Sequence, residues 1–199
     1  MLTFGVTGGS GGGKTTLLRV WETLGCVTID ADKLYHALLA GDDTLLRPIA
    51  EAFPHAFTDG VLDRKQLGRL VFADKGALSR LEAITHPAVL SAVQTQLNAA
   101  KDRGAPAAAV DAVRLLESPL AAVCDVIIAV TAPLDTRLAR IMARDGVDEG
   151  YARARIAAQP GDDFHRTKAH IHLENHGDTA LFEQGCKDLY TKLLRREIP

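Results

Sequence analysis

The chain has 199 residues, 47% of them hydrophobic and 24% charged, with 23 Lys and Arg against 25 Asp and Glu for a net charge of −2. That length and apolar content suit one domain, or one domain carrying an insertion, while the balanced charge gives no sign of nucleic acid or an acidic membrane as partner. Three scattered cysteines, Cys26, Cys124 and Cys186, fit no disulfide framework or metal pattern, and no signal peptide or apolar run of membrane length is recognised, so a reducing, cytoplasmic setting is expected.

The first predicted element is the short β-branched and aromatic strand LTFGVTG, and it leads straight into GVTGGSGGGKTT and a helix-patterned KTTLLRVWETLG that stops at Gly25. Gly8, Gly13, Lys14 and Thr15 satisfy G-x-x-x-x-G-K-[ST], the phosphate loop of nucleotide-binding proteins. Glycine lets the backbone curl so that the N–H groups of Gly9, Ser10, Gly11, Gly12, Gly13, Lys14, Thr15 and Thr16 turn toward phosphate oxygens, and the helix start favours the same anion. Lys14 then meets the β- and γ-phosphates of ATP, and the Thr15 hydroxyl is the expected Mg²⁺ ligand.

CVTID reads as the second strand. If it persists to Asp32, the carboxylates of Asp30 and Asp32 point the same way at the edge where open α/β sheets bind ligands. There a carboxylate takes or orients the proton of an attacking hydroxyl; alternatively, either aspartate caps the next helix. From Lys33 to Arg103 the periodicity is helical, punctuated by loops at AFPHAFTDG and THP and with no strand, which reads as a helical insertion over 33–104.

Strands return at PAAAVDAV and CDVIIAVTA, helices follow over 135–145 and 151–158, QPGDDFHRTK reads as a polar loop, HIHLEN as a short strand, and a last helix starts near Thr179. The fold class is therefore α/β, a P-loop NTPase with a Rossmann-like parallel five-stranded sheet flanked by helices. Its core takes 1–32 and 105–199, with a lid around 137–168. Arg137, Arg140 and Arg144 share one helical face, as lid cations or as a solvated basic surface. His170 and His172 alternate on one strand face, where strand packing or a solvated edge is favoured over a metal site. Asp111 ends a strand as a Mg²⁺ ligand or a cap, and Arg114 must reach solvent, a carboxylate or a phosphate. No guanine-reading N-K-x-D is present to suggest a GTPase.

GVTGGSGGGKTT, IDAD, DGVLDRKQL, THP and RIMARDG, in that order and approximate spacing, make the chain resemble the dephospho-coenzyme A kinases from about Phe4 to Asn175. The resemblance implies transfer of the ATP γ-phosphate to the ribose 3′-hydroxyl of dephospho-coenzyme A, the last step of coenzyme A synthesis. It also implies Asp32 as the base, Arg64 and His86 in the acceptor-binding insertion, Arg140 and Arg144 as catalytic lid residues, and Asn175 near the adenine. Arg137 stands where the family commonly has glutamine. DAVRLLE replaces a common D-x-P-L-L-F-E, with Asp111 and Glu117 in place, and AHIHLEN replaces ADFVIDN. Two other readings compete: another small-molecule or nucleoside kinase on the same core, distinguished by acceptor preference, and a catalytically silent nucleotide-binding module, which has little need of Asp32.

Overall fold

The computed structural model describes residues 1–198. In chain order its elements are β1 (Leu2–Thr7), α1 (Lys14–Thr23), β2 (Val27–Asp30), α2 (Ala31–Gly41), α3 (Asp43–Ala52), β3 (Phe57–Thr58), β4 (Val61–Leu62), α4 (Arg64–Ala73) and α5 (Lys75–Asp102). The remainder comprises β5 (Ala107–Asp111), β6 (Val126–Thr131), α6 (Leu134–Asp145), α7 (Glu149–Ala157), α8 (Asp162–Lys168), β7 (Ile171–Glu174) and α9 (Thr179–Leu194). Two compact units divide them, one made of Met1–Ile29 with Leu97 to the C-terminus, the other of Asp30–Gln96.

The first unit is built on a five-stranded sheet in the order β2-β5-β1-β6-β7. Parallel pairing sets Val6 of β1 opposite Asp111 of β5, Phe4 opposite Val126 of β6, and Ile128 of β6 opposite Ile171 of β7. β1 and β6 are apolar almost throughout and buried, as strands covered on both faces must be. On one face α1 and α9 close over Phe4, Trp21 and Tyr190, whose rings meet at 5.1 Å (Phe4–Trp21) and 5.4 Å (Trp21–Tyr190). The Trp21 indole N–H donates to the Cys186 carbonyl at 2.9 Å, so the buried ring keeps its one polar group satisfied and ties α1 to α9. Burial pushes the thiols of Cys26, Cys124 and Cys186 each up to about 12. Leu138 and Ile141 of α6 pack with Ala152 of α7 in a smaller cluster.

The second unit has its own core of Leu39, Leu45, Ile49, Phe53, Ala56, Leu67, Val71 and Leu81. It holds one element the periodicity does not predict, the antiparallel pair β3–β4, in which Phe57 faces Leu62. Two residues per strand are too few to show alternation. The Asp59-Gly60 turn between them, with φ of 49° and 79°, carries the usual hairpin signal.

Two more local expectations change. α5 runs through THP as a 28-residue helix with Pro87 inside it. A proline costs a helix about 3 kcal/mol, but Leu81, Thr85, Val89 and Val93 recur every fourth residue and are all buried, and burying each apolar side chain returns about 1.5–3 kcal/mol. QPGDDFHRTK is not all loop, because its residues from Asp162 form α8. Asp162 and Asp163 stand in the first turn and His165, Arg166 and Lys168 in the last, the order the helix dipole favours.

Candidate active site

The loop from Gly8 to Gly13 joins β1 to α1 and is pressed against its surroundings too closely for side chains. A methyl group at Gly8 would stand 2.0 Å from the Val130 carbonyl oxygen, and one at Gly12 2.7 Å from the same atom. At Gly13, where φ is 116°, it would stand 2.4 Å from Asn175 Nδ2. Gly13 precedes α1 with no side chain to cap it, so the first turn of the helix presents N–H groups that no intrahelical carbonyl takes. Lys14 Nζ lies back across the loop and donates to Gly8 O at 2.6 Å. Thr15 is exposed and Thr16 half-buried at the same helix start.

Side chains from the segment after β6 hold the outer side of this loop. Ser10 is gripped at three atoms: its N–H donates to Gln159 Oε1 at 2.8 Å, its hydroxyl accepts from Gln159 Nε2 at 3.0 Å, and its carbonyl accepts from Arg137 Nε at 2.9 Å. Arg140 Nη1 donates to Gly11 O at 3.0 Å and Nη2 to Asn175 Oδ1 at 3.1 Å. Asn175 is 3% exposed, and its own N–H donates to Thr131 O at 2.8 Å. Arg140 and Asn175 are thus brought together on the loop. Arg144 is not, because its guanidinium forks onto Asp145 at 2.7 and 2.8 Å. That hydrogen bonding, first among the causes, holds the Asp145 carboxyl below its ordinary range, and Arg155 reaches the same carboxylate at 2.8 Å.

Three further residues of this neighbourhood carry no motif. Gln159 is one. Arg137 is the second, buried in spite of its charge and paired through Nη1 with Asp162 at 3.0 Å. His165 is the third, and burial, more than any other cause, holds its imidazole below the ordinary value. Asp162 and Glu117 oppose that shift while Lys14 and Arg137 reinforce it.

Arg114 finds a carboxylate, Glu117, at 3.2 Å. The two histidines near β7 are hydrogen-bonded to β6: exposed His170, just ahead of the strand, accepts through Nδ1 from the Ile127 N–H at 2.9 Å, and His172 Nε2 shares a 2.7 Å hydrogen bond with Thr131 Oγ1. Among the described residues no group of three or more His, Cys, Asp or Glu is placed to hold a metal ion, and no helix is long and apolar enough to cross a membrane.

In the second unit, Asp30 ends β2 and caps α2. Its Oδ1 accepts from the Lys33 N–H at 2.8 Å and its Oδ2 pairs with Lys33 Nζ at 3.0 Å. The helix therefore starts at Ala31, and Asp32 stands exposed in its first turn rather than beside Asp30 on a strand face. Arg64 opens α4, whose cap is Asp63, accepting from the N–H groups of Lys65 and Gln66. Arg64 Nη2 donates to His36 O at 3.1 Å, and its charge opposes the upward shift that burial gives the Tyr35 phenol. His86 is half-buried within α5.

Comparison with known proteins adds to this geometry. The family model described as dephospho-CoA kinase matches residues 2–180. A dephospho-CoA kinase of Geobacter sulfurreducens is 34% identical over 194 residues, covering 96% of this chain and 98% of that one. A crystal structure of a Thermus thermophilus protein superposes with a TM-score of 0.82 at 31% identity, over 96% of this chain and 97% of that chain. A dephospho-CoA kinase from Campylobacter jejuni gives 0.70 at 27% identity, over 98% of each chain.

Proposed function

The chain belongs to the dephospho-CoA kinase family, and from that premise we propose how its residues carry the γ-phosphate of ATP to the ribose 3′-hydroxyl of dephospho-CoA. The observation that supports this best is the loop itself, a cradle at Gly8, Gly12 and Gly13 that a single methyl would fill, set at a helix start with Lys14 and Thr15 next to it.

Those residues suit a nucleotide with its metal: the inward N–H groups and the helix dipole favour phosphate, and the exposed Thr15 hydroxyl would hold Mg²⁺, which typically takes few protein ligands besides phosphate oxygens. When bound, Mg²⁺ supplies positive charge to the β- and γ-phosphate oxygens. Lys14 exchanges Gly8 O for those oxygens and stabilises the charge that shifts during transfer. Asp32, exposed in the first turn of α2, orients the acceptor hydroxyl and takes its proton as the oxygen bonds to the γ-phosphorus and the bond from that phosphorus to the bridging oxygen of ADP breaks. Arg64 and His86 grip dephospho-CoA. Arg140 already stands at Gly11, and Arg144 joins it by leaving Asp145. Asn175, beside Gly13, serves the adenine side. Three free thiols suit a reducing compartment, and we assign the reaction to the cytoplasm.

The test is to incubate the purified protein with MgATP and dephospho-CoA and to follow ADP and coenzyme A together by mass-resolved chromatography. Equal amounts of both are expected. Bound ATP with no coenzyme A formed, or efficient phosphorylation of a different alcohol, would overturn the assignment.

A further inference from the structure

Arg137 is 4% exposed and His165 1%. Among the described residues, Nη2 of Arg137 and both ring nitrogens of His165 are buried and make no hydrogen bond. The other two arms of the guanidinium are fixed, Nε on Ser10 O at 2.9 Å and Nη1 on Asp162 at 3.0 Å, so Nη2 has a set direction. It faces the loop, where a methyl group on Gly9 would lie 2.2 Å from it. Buried donors are almost always paired, and those that are not tend to sit where a ligand supplies the missing acceptor.

We propose that Arg137 Nη2 is a ligand of the terminal phosphate of the bound nucleotide, in addition to the loop N–H groups and Lys14. This rests on the nucleotide-phosphate reading of the loop. Lys14 is the residue of the motif that meets the β- and γ-phosphates, and its ammonium lies back on Gly8 O at 2.6 Å, the neighbour of the Gly9 that Nη2 faces. The orphan Nη2 therefore belongs to the terminal-phosphate end rather than to the base end, where Asn175 stands. Gln159 Oε1 lies 3.2 Å from the same methyl position on Gly9 and holds the Ser10 N–H, so it borders the place that Nη2 faces. Arg137 then joins three parties: the loop through Nε, α8 through Nη1 and the phosphate through Nη2. Donors fixed where charge develops stabilise a transferring phosphoryl group without reorganising.

The contact is specific to a nucleotide with a third phosphate, and the experiment uses that. Affinities of wild type, Arg137→Met, Arg137→Lys and Arg137→Gln for ADP and for the β,γ-imido analogue of ATP are measured by calorimetry, with kcat in the coenzyme A assay. Arg137→Met should lose tenfold or more in affinity for the triphosphate analogue and in kcat, with ADP affinity within twofold. Arg137→Lys should recover part of the loss, and Arg137→Gln, the residue the family commonly has at this position, should show the same selectivity even if Arg137→Met does not fold. Equal losses for ADP and the triphosphate, or no loss for either, would overturn the proposal. A wild-type protein that binds neither nucleotide would instead overturn the phosphate-loop reading beneath it.

Discussion

A single carboxylate and a single imidazole give the sharpest expectations at the scale of residues. Asp32→Asn keeps the size and exposure of the side chain and removes its capacity to accept a proton, so turnover should fall by roughly 10²–10⁴-fold while affinity for the ATP analogue stays near the wild-type value. Steady-state kinetics beside calorimetry separate the two, and unchanged turnover would remove Asp32 from the mechanism. His165 carries a pH signature. Its folded pKa lies below the ordinary value of about 6.5, so between the two the unfolded chain binds more protons and stability rises with pH. The stability is complete above about pH 6.5 and is lost as pH falls from there toward the folded value. Wild type should therefore lose more Tm between pH 7.5 and 5.5 than His165→Gln, and parallel curves would mean that another group governs acid sensitivity. Lys14 and Thr15 are legible in the chain because the motif fixes their offsets from Gly8. Gln159 and His165 are not, because only the turn between α7 and α8, and α8 itself, place them; Arg137 is legible as one of three arginines on a helical face, and its burial on Ser10 and Asp162 removes the solvated alternative.

Elements behave as their ends dictate. Asp63 satisfies two N–H groups at the start of α4, so Asp63→Ala should cost about 1 kcal/mol in urea unfolding. The turn it frays begins with Arg64, so KM for dephospho-CoA should rise while KM for ATP does not. A rise in both would mean that α4 supports more than acceptor binding. The same attention to ends explains where pattern alone misleads. Asp30 was readable as a cap or as a strand-end carboxylate, and its hydrogen bond to Lys33 selects the cap. THP carries a helix-breaking residue, yet the four-residue spacing of Leu81, Thr85, Val89 and Val93 on either side of it is what persists. The acidic start and basic finish of α8 lay within a stretch whose glycine and proline speak for a loop.

For the molecule as a whole, the parallel sheet was legible because β1, β5 and β6 are short, apolar and separated by helical patterns, and because a phosphate loop between β1 and α1 narrows the topology. Stability should centre on the aromatic cluster on the α1–α9 face of that sheet. Trp21→Ala empties a fully buried site and removes the indole hydrogen bond to the Cys186 carbonyl, for an expected loss of about 3–5 kcal/mol; a loss under about 1 kcal/mol in chemical denaturation would show that the cluster relaxes around the gap. The packing around that face has a practical side. With thiols raised to about 12, the native cysteines carry almost no thiolate at neutral pH and are poor targets for maleimides. A cysteine placed at exposed Thr167 on α8 is then the one fast-reacting position, and a dye attached there without stripping the protein of its own cysteines would report by its fluorescence whether α8 shifts when nucleotide is added.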